Sequence, residues 1–309
     1  MQVPRISASS YSNTAPLVWS FLYGQNHGKV EIILDTAPAR SAELLAHDRV
    51  DAALVPVIAY QQIDGLRLVP DVCVGAKERV RSVCLITKGK DLENVRSVAL
   101  DVSSKTSVAL TKIIFREFLG FEPVFKSAEP DIDTMLADAD CALLIGDPAL
   151  SIADCGLKKR DAATREEEAR KQESKKAKIR NPQSANRNPE VRAPHSALRV
   201  FDLAQTWRKY TGLGFVFAMW MSKKDRVDID FAAARDEGLA HIAEIVSNYE
   251  SEIPLSRDEL KTYLSGNISY EPDESMRQGM ELYFKLAQKN GLLAKNKPLE
   301  FADQTDENR

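Results

Sequence analysis

Three short polar turns carry most of the chemistry this chain offers: Ser9-Ser-Tyr-Ser-Asn-Thr14, Asp101-Val-Ser-Ser-Lys-Thr-Ser107 and Gly146-Asp-Pro148. Each follows a run that reads as a strand and precedes one that reads as a helix. A helix start presents unpaired N–H groups and the positive end of the macrodipole, so each turn is a candidate anion site. Serine and threonine hydroxyls add neutral donors without adding charge. Two such turns, one in each of two α/β units, suit a small molecule with two carboxylates. The same residue types are also ordinary helix caps, and Asp147 followed by Pro148 is a common helix start. Capping accounts for any one turn by itself; three at corresponding places leave the two readings in balance.

Other chemistries find less support. His27, His47, His195 and His241 are isolated, with no partner at metal-ligand spacing. Cys73, Cys84, Cys141 and Cys155 include no C-x-x-C pair, and the first three sit inside apolar runs, where a cysteine is a small buried hydrophobe. No Ser-His-Asp or Cys-His arrangement can be inferred. No metal and no cofactor are expected. Thr211-Gly-Leu-Gly214 lacks the spacing of a phosphate loop and reads as a hinge turn. Phe215 and Trp220 read as core residues. Arg79 and Arg81 read as surface charges, with Ser82 beside them opening a strand.

The elements that must position these turns alternate. Strand patterns at 5–9, 30–34 and 52–57 enclose helices beginning at Pro16 and Ser41, and further strands follow at 66–69, 72–75 and 82–87. A second series then repeats the order: strand 97–101, helix 106–119, strand 124–127, helix 132–137, strand 141–145. After a mixed stretch at 200–210 comes an apolar strand at 214–221, and helices near 231–249, 257–264 and 273–290 close the chain. This predicts an α/β fold of two lobes joined by two crossing segments, with a ligand cleft between them. The crossings are expected near 87–93 and at the Thr211–Gly214 turn. One lobe then comprises 1–87 with 215–309, and the other 88–214.

Composition agrees with a globular chain. Of 309 residues, 44% are hydrophobic and 28% charged, and 42 basic against 45 acidic residues give a net charge of −3, so no basic field favours nucleic acid. No apolar run reaches the roughly eighteen residues of a membrane span, and the N-terminal residues lack a secretory layout, so a cytoplasmic protein is expected. From 157 to 196 the chain has twelve basic and six acidic residues and only three large apolar ones. That segment reads as a charged, solvated and disordered insertion within the second lobe rather than a basic tail for RNA or lipid.

The ordered set Ser10-Tyr-Ser-Asn-Thr-Ala-Pro-Leu17, Val50-Asp-Ala-Ala-Leu-Val-Pro-Val57, Val80-Arg-Ser-Val83, Ser104-Lys-Thr-Ser107, Leu144-Ile-Gly-Asp-Pro-Ala-Leu150 and Trp207-Arg-Lys-Tyr-Thr-Gly-Leu-Gly-Phe-Val-Phe-Ala218 resembles the chorismate dehydratases of the futalosine route to menaquinone. The resemblance covers nearly the whole chain apart from 157–196. It implies the two-lobed fold of type II periplasmic binding proteins. A sister lyase of the same fold, acting on cyclic dehypoxanthine futalosine, carries a His-Glu pair where this chain has Gly146-Asp147, which favours the dehydratase. A non-catalytic cytoplasmic binder of small anions is the alternative from another class.

The resemblance implies loss of water from chorismate to give 3-[(1-carboxyvinyl)oxy]benzoate. Aromatisation drives the reaction, so no cofactor is needed in principle, and the enzyme's task is conformation and donor placement. On this reading Asn13 orients the substrate beside the reacting carbons, and Ser82, Ser104, Thr106 and Ser107 hold its carboxylates. Asp147 either hydrogen-bonds the departing hydroxyl or caps its own helix. Ser10, Tyr11, Gly146, Thr211 and Gly212 complete the substrate-binding candidates. The substrate's own enolpyruvyl carboxylate is a candidate proton acceptor. Chorismate is the expected small-molecule partner, and the oligomeric state is left open.

Overall fold

The computed structural model describes residues 3–152 and 198–304. The charged insertion expected at 157–196, with Cys155 and His195, lies outside the described residues.

The first sheet is built from β1 (Arg5–Ser9), β2 (Glu31–Asp35), β3 (Ala52–Pro56), β4 (Arg67–Ala76) and β10 (Phe215–Ser222), in the order β2-β1-β3-β10-β4. β1 runs parallel to β2 and β3, whereas β10 is antiparallel to β3 and β4. Helices α1 (Ala15–Leu22), α2 (Pro38–Ala46) and the short α3 (Ala59–Gln62) connect its strands. β3 is an unbroken buried run, as a parallel strand covered on both faces must be.

The second sheet repeats the plan. β5 (Val83–Thr87), β6 (Ser97–Asp101), β7 (Val124–Ala128), β8 (Cys141–Ile145) and β9 (Arg199–Asp202) lie in the order β7-β6-β8-β5-β9, with α4 (Lys105–Ile113) and α5 (Ile132–Asp138) between strands. β6 is parallel to β7 and β8; β5 is antiparallel to β8 and β9. In each sheet the fourth strand in space is the one that immediately follows a crossing. The two lobes therefore have the same topology.

Three sequence boundaries need correction. Val83 pairs with Ile145 and Cys84 with Asp202, so β5 belongs to the second sheet and the first crossing is 77–82, not a segment beginning near residue 87. An apolar strand buried on both faces carries no mark of which sheet takes it; the charged Lys77-Glu78-Arg79 before it was the better signal. The strands expected at 66–69 and 72–75 are one ten-residue strand, β4, which stays paired with β10 through two register shifts while Asp71 takes φ 60°. The helix expected near 231–249 is two, Phe231–Ala240 and Ile242–Tyr249, broken at His241, whose ring stacks on Trp19 at 3.7 Å.

The chain passes from the second sheet into β10 through the 211–214 turn. Gly212, at φ 74°, ends the Leu203–Thr211 helix and turns the chain into β10. The helix Glu274–Lys289 packs tightly on this point: a Cβ on Gly279 would lie 2.1 Å from the Gly214 carbonyl oxygen. A neighbouring residue of that helix, Tyr283, donates to the Thr106 carbonyl at 3.0 Å, so this C-terminal helix touches both lobes. The apolar core is continuous beneath them, with Trp207, Phe215, Trp220 and Phe284 fully buried, and a smaller cluster around Cys84, Ile86 and Leu144 serves the second sheet alone. Cys73, Cys84 and Cys141 are all buried and free.

Candidate active site

The three polar turns sit at the carboxyl ends of parallel strands: the first leaves β1, the second β6 and the third β8. That end of an open α/β sheet is where helix N-termini converge and where such folds bind ligands. Here the two sheets present those ends to each other. Between them lies a cavity bounded by Tyr11, Asn13 and Thr14 from the first lobe and Ser104, Thr106, Ser107 and Gly146 from the second. Its remaining wall is apolar and includes Leu54, Val83, Ile145 and Phe217. No charged side chain lines it among the described residues.

Each turn is built locally in a way the sequence explains. After β1 the backbone makes a 3-10 turn over Ser12–Thr14 before α1. Thr14 does not cap α1; its hydroxyl donates back to the carbonyls of Ser9 (2.5 Å) and Tyr11 (2.8 Å), which folds the turn onto the strand end and fixes Asn13 toward the cavity. After β6, the Asp101 carboxylate accepts from the backbone and hydroxyl of Ser103, at 2.9 and 2.6 Å, and Ser104 caps α4 by accepting from Ser107 N–H at 3.3 Å. The Thr106 hydroxyl is not spent within its own helix: it accepts from Ile58 N–H across the lobes at 3.3 Å.

At the third turn Asp147 takes its partner from the other lobe. Its carboxylate does not cap the helix that starts at Gly146. It reaches across the cleft and accepts from Ser12 N–H at 3.1 and 3.3 Å and from the Ser12 hydroxyl at 2.5 Å. Burial raises its pKa above the ordinary aspartate range, against the lowering effect of the two Ser12 donors, with Glu252 adding a small push upward. Gly146 makes this approach possible. It has φ 65°, and a Cβ there would lie 2.8 Å from the Tyr11 ring, so Tyr11 lies flat against the second lobe. The Tyr11 phenol in turn stands near Ser103, Asp101 and Asp147.

The cleft is closed by these contacts. Its cavity measures about 60 Å³, against the roughly 150 Å³ of a cavity that takes up one benzene. A ring compound with two carboxylates enters only if the lobes part, and the Ser12–Asp147 and Ile58–Thr106 bonds are the ones that must give.

Most residues expected at the site meet here, and some do not. Asn13, Tyr11, Ser104, Thr106, Ser107 and Gly146 bound the cavity, and Asp147 stands beside it. Ser82 does not line the cavity: it is fully buried just before β5, its hydroxyl donating to the Val80 carbonyl at 3.4 Å and its carbonyl accepting from Gly146 N–H at 2.8 Å. Ser10 is exposed and faces an outer groove instead, its carbonyl accepting from the Tyr249 hydroxyl at 3.2 Å. Thr211 and Gly212 do not line the cavity; the Thr211 hydroxyl donates to the Trp207 carbonyl and Gly212 is the helix C-cap. Their motif reads as a turn because it is one, and its place between the lobes is structural.

Two residues escape the sequence reading. Arg81, expected on the surface, is only 9% exposed, holds φ 63° and lies with its guanidinium 5.9 Å from the centre of the Tyr263 ring. The crossing is pinned there by Asp202, which accepts from Val80 N–H at 3.1 Å and Arg81 N–H at 2.6 Å while capping the next helix through Gln205 N–H at 3.0 Å. Tyr263 is buried and lies with its hydroxyl close to Ser82 and Asn13. Nothing around residue 263 in the sequence signals this, since the connection is made only by the tertiary fold.

Solved proteins share this architecture. A protein from Archaeoglobus fulgidus superposes with a TM-score of 0.60 at 15% identity over 94% of this chain and 98% of that one. The periplasmic aliphatic sulphonate binding protein of Escherichia coli gives 0.54 at 14% identity over 99% and 97% of the two chains. A Candida albicans gene product described as exhibiting the generic periplasmic binding protein structural fold gives 0.57 at 10% identity over 96% and 92%. The chain thus has the two-lobed periplasmic-binding-protein fold. The model of the menaquinone biosynthesis family matches residues 4–161 and 191–289, and the chain belongs to this family. It is also 30% identical over 285 residues to a chorismate dehydratase of Thermus thermophilus, covering 88% of this chain and 91% of the relative. The unmatched stretch 162–190 falls inside the charged segment that the sequence sets apart. Among the described residues no helix is long and apolar enough to cross a membrane.

Proposed function

We propose that this protein dehydrates chorismate to 3-[(1-carboxyvinyl)oxy]benzoate. The observation that carries the reading is the cavity itself: helix starts and hydroxyls from both lobes converge on an uncharged, partly apolar space. The apolar wall suits the ring, and the neutral donors suit carboxylates without trapping the product as paired cations would. The likeness to a chorismate dehydratase over most of both chains supports the same substrate.

The elimination removes the ring hydroxyl and the proton on the neighbouring carbon that bears the enolpyruvyl ether. The C–H pair becomes a ring double bond, the C–O bond breaks, and proton and hydroxide leave as water. Asn13 orients the reacting carbons, Ser104, Thr106 and Ser107 hold the carboxylates from the cavity wall, and Ser82, buried behind that wall, joins them once the cleft opens. Asp147, once Ser12 releases it, accepts from the ring hydroxyl of the bound substrate and so orients the C–O bond before it breaks. The substrate's enolpyruvyl carboxylate takes the proton, since no side chain lining the cavity is a base at neutral pH.

Incubating the purified chain with chorismate, with ultraviolet absorbance and product mass as readouts, tests this. The expected result is conversion to a product lighter by one water. Chorismate recovered unchanged contradicts it, whether the compound is bound, as by a sensor, or ignored, as by the sister lyase.

A further inference from the structure

The first residue of the π-helical turn Tyr263–Asn267 places a phenol that the scheme above leaves without a task. Tyr263 is fully buried, and its hydroxyl forms no completed hydrogen bond. A buried polar group in this state calls for an explanation, because folded proteins rarely leave one unsatisfied. The surroundings supply it. The hydroxyl stands close to the side chains of Asn13 and Ser82, and it feels the charges of Asp147 and Arg81. It therefore sits where the first lobe, the crossing and the second lobe meet, beside the side chain assigned to the reacting carbons. A π-helical turn carries an extra residue and re-aims the side chains around it, a distortion found often at functional sites.

We propose that the Tyr263 hydroxyl contacts the substrate and donates a hydrogen bond to the departing ring hydroxyl. This rests on the chorismate reading. The step needs no further reactant: the enolpyruvyl carboxylate passes the proton taken from the neighbouring carbon to the departing oxygen, which leaves as water, and the phenol keeps its own proton. Burial holds the phenol well above its ordinary pKa, so it remains a neutral donor throughout the working range. Opening of the cleft is what brings the hydroxyl into reach, and occupancy by the substrate is what completes its hydrogen bonding. Tyr270 is the natural comparison. It is a second buried tyrosine with an unpartnered hydroxyl, but it faces the outer groove formed by Lys77–Arg79 and Leu264–Asp273, not the cleft.

The test compares Tyr263→Phe with Tyr270→Phe in the full chain. Both variants keep the ring and remove an unpartnered hydroxyl, so neither should lower the melting temperature. With chorismate, Tyr263→Phe should lose about 100-fold in kcat with KM changed by less than about threefold, while Tyr270→Phe stays within about twofold of the parent. Parental kcat in Tyr263→Phe overturns the inference and leaves the function reading intact. Equal losses in the two variants also overturn it, because they mark a packing effect. If the unaltered chain leaves chorismate intact, the function reading fails before any variant is made, and this inference falls with it.

Discussion

Asn13→Ala is expected to lower kcat for chorismate dehydration by about 10²–10³-fold, the size of effect seen when one preorganised donor is removed from a reacting centre. Asn13 supplies the one carboxamide among the residues that bound the cavity. A carboxamide both donates and accepts, so it can hold an ether or hydroxyl oxygen in a set orientation in a way that a serine cannot. Its position is prepared by the fold: the Thr14 hydroxyl ties the 3-10 turn back to Ser9 and Tyr11, and Asn13 is 8% exposed. The loss should fall on kcat more than on KM, because four hydroxyl-bearing residues are assigned to the carboxylates. Near-normal turnover by Asn13→Ala removes the residue from the reaction.

Asp147→Asn should produce the second large effect, a drop of about 100-fold in kcat/KM together with a changed pH profile. The carboxylate must be ionised to accept from both donors of Ser12 and, after opening, from the ring hydroxyl that it orients in the bound substrate. Its pKa is raised by burial, so the acid limb of kcat/KM should lie above the ordinary aspartate range, and the variant should lack that limb. The sign for stability runs the other way. The folded-state pKa exceeds the unfolded one, so the native state holds its proton more tightly, and that stabilisation is lost as pH rises through the folded value. The asparagine variant, with no proton to lose, should gain stability relative to the parent over the same rise. An acid limb unmoved by Asp147→Asn, or a stability difference constant across that range, contradicts the assignment.

How far the sequence reaches can be judged from particular residues. The doubled strand–helix order, the Gly212 turn and the three polar turns at strand ends all rest on local pattern, and local pattern survives folding. Where pairing partners decide the outcome, pattern is silent. Val83–Thr87 is equally apolar on both faces and joins the second sheet because it follows the 77–82 crossing, which no periodicity reveals. Asp147 shows the same limit at the site. Its type and position fit a helix cap, and only the approach of Ser12 from 135 residues away turns it toward the cleft. Arg81 is misread for a related reason, since a charged residue in a charged stretch gives no hint of burial beneath Tyr263. Ser10 and Thr211 belong to the motifs of the resemblance, yet one faces the outer groove and the other bonds within its helix end. A shared motif preserves a turn without putting every member of it on the cavity wall.

On the proposed reading, uncharged donors from two separate lobes grip one doubly negative ring compound. A crystal structure of the chain with 3-[(1-carboxyvinyl)oxy]benzoate bound should then show the product between the sheets, one carboxylate at the Ser104–Ser107 helix start, the other near Ser82, and the Asn13 amide beside the ether oxygen. Product bound on one lobe alone, or with its carboxylates on lysine or arginine side chains outside this cavity, contradicts it.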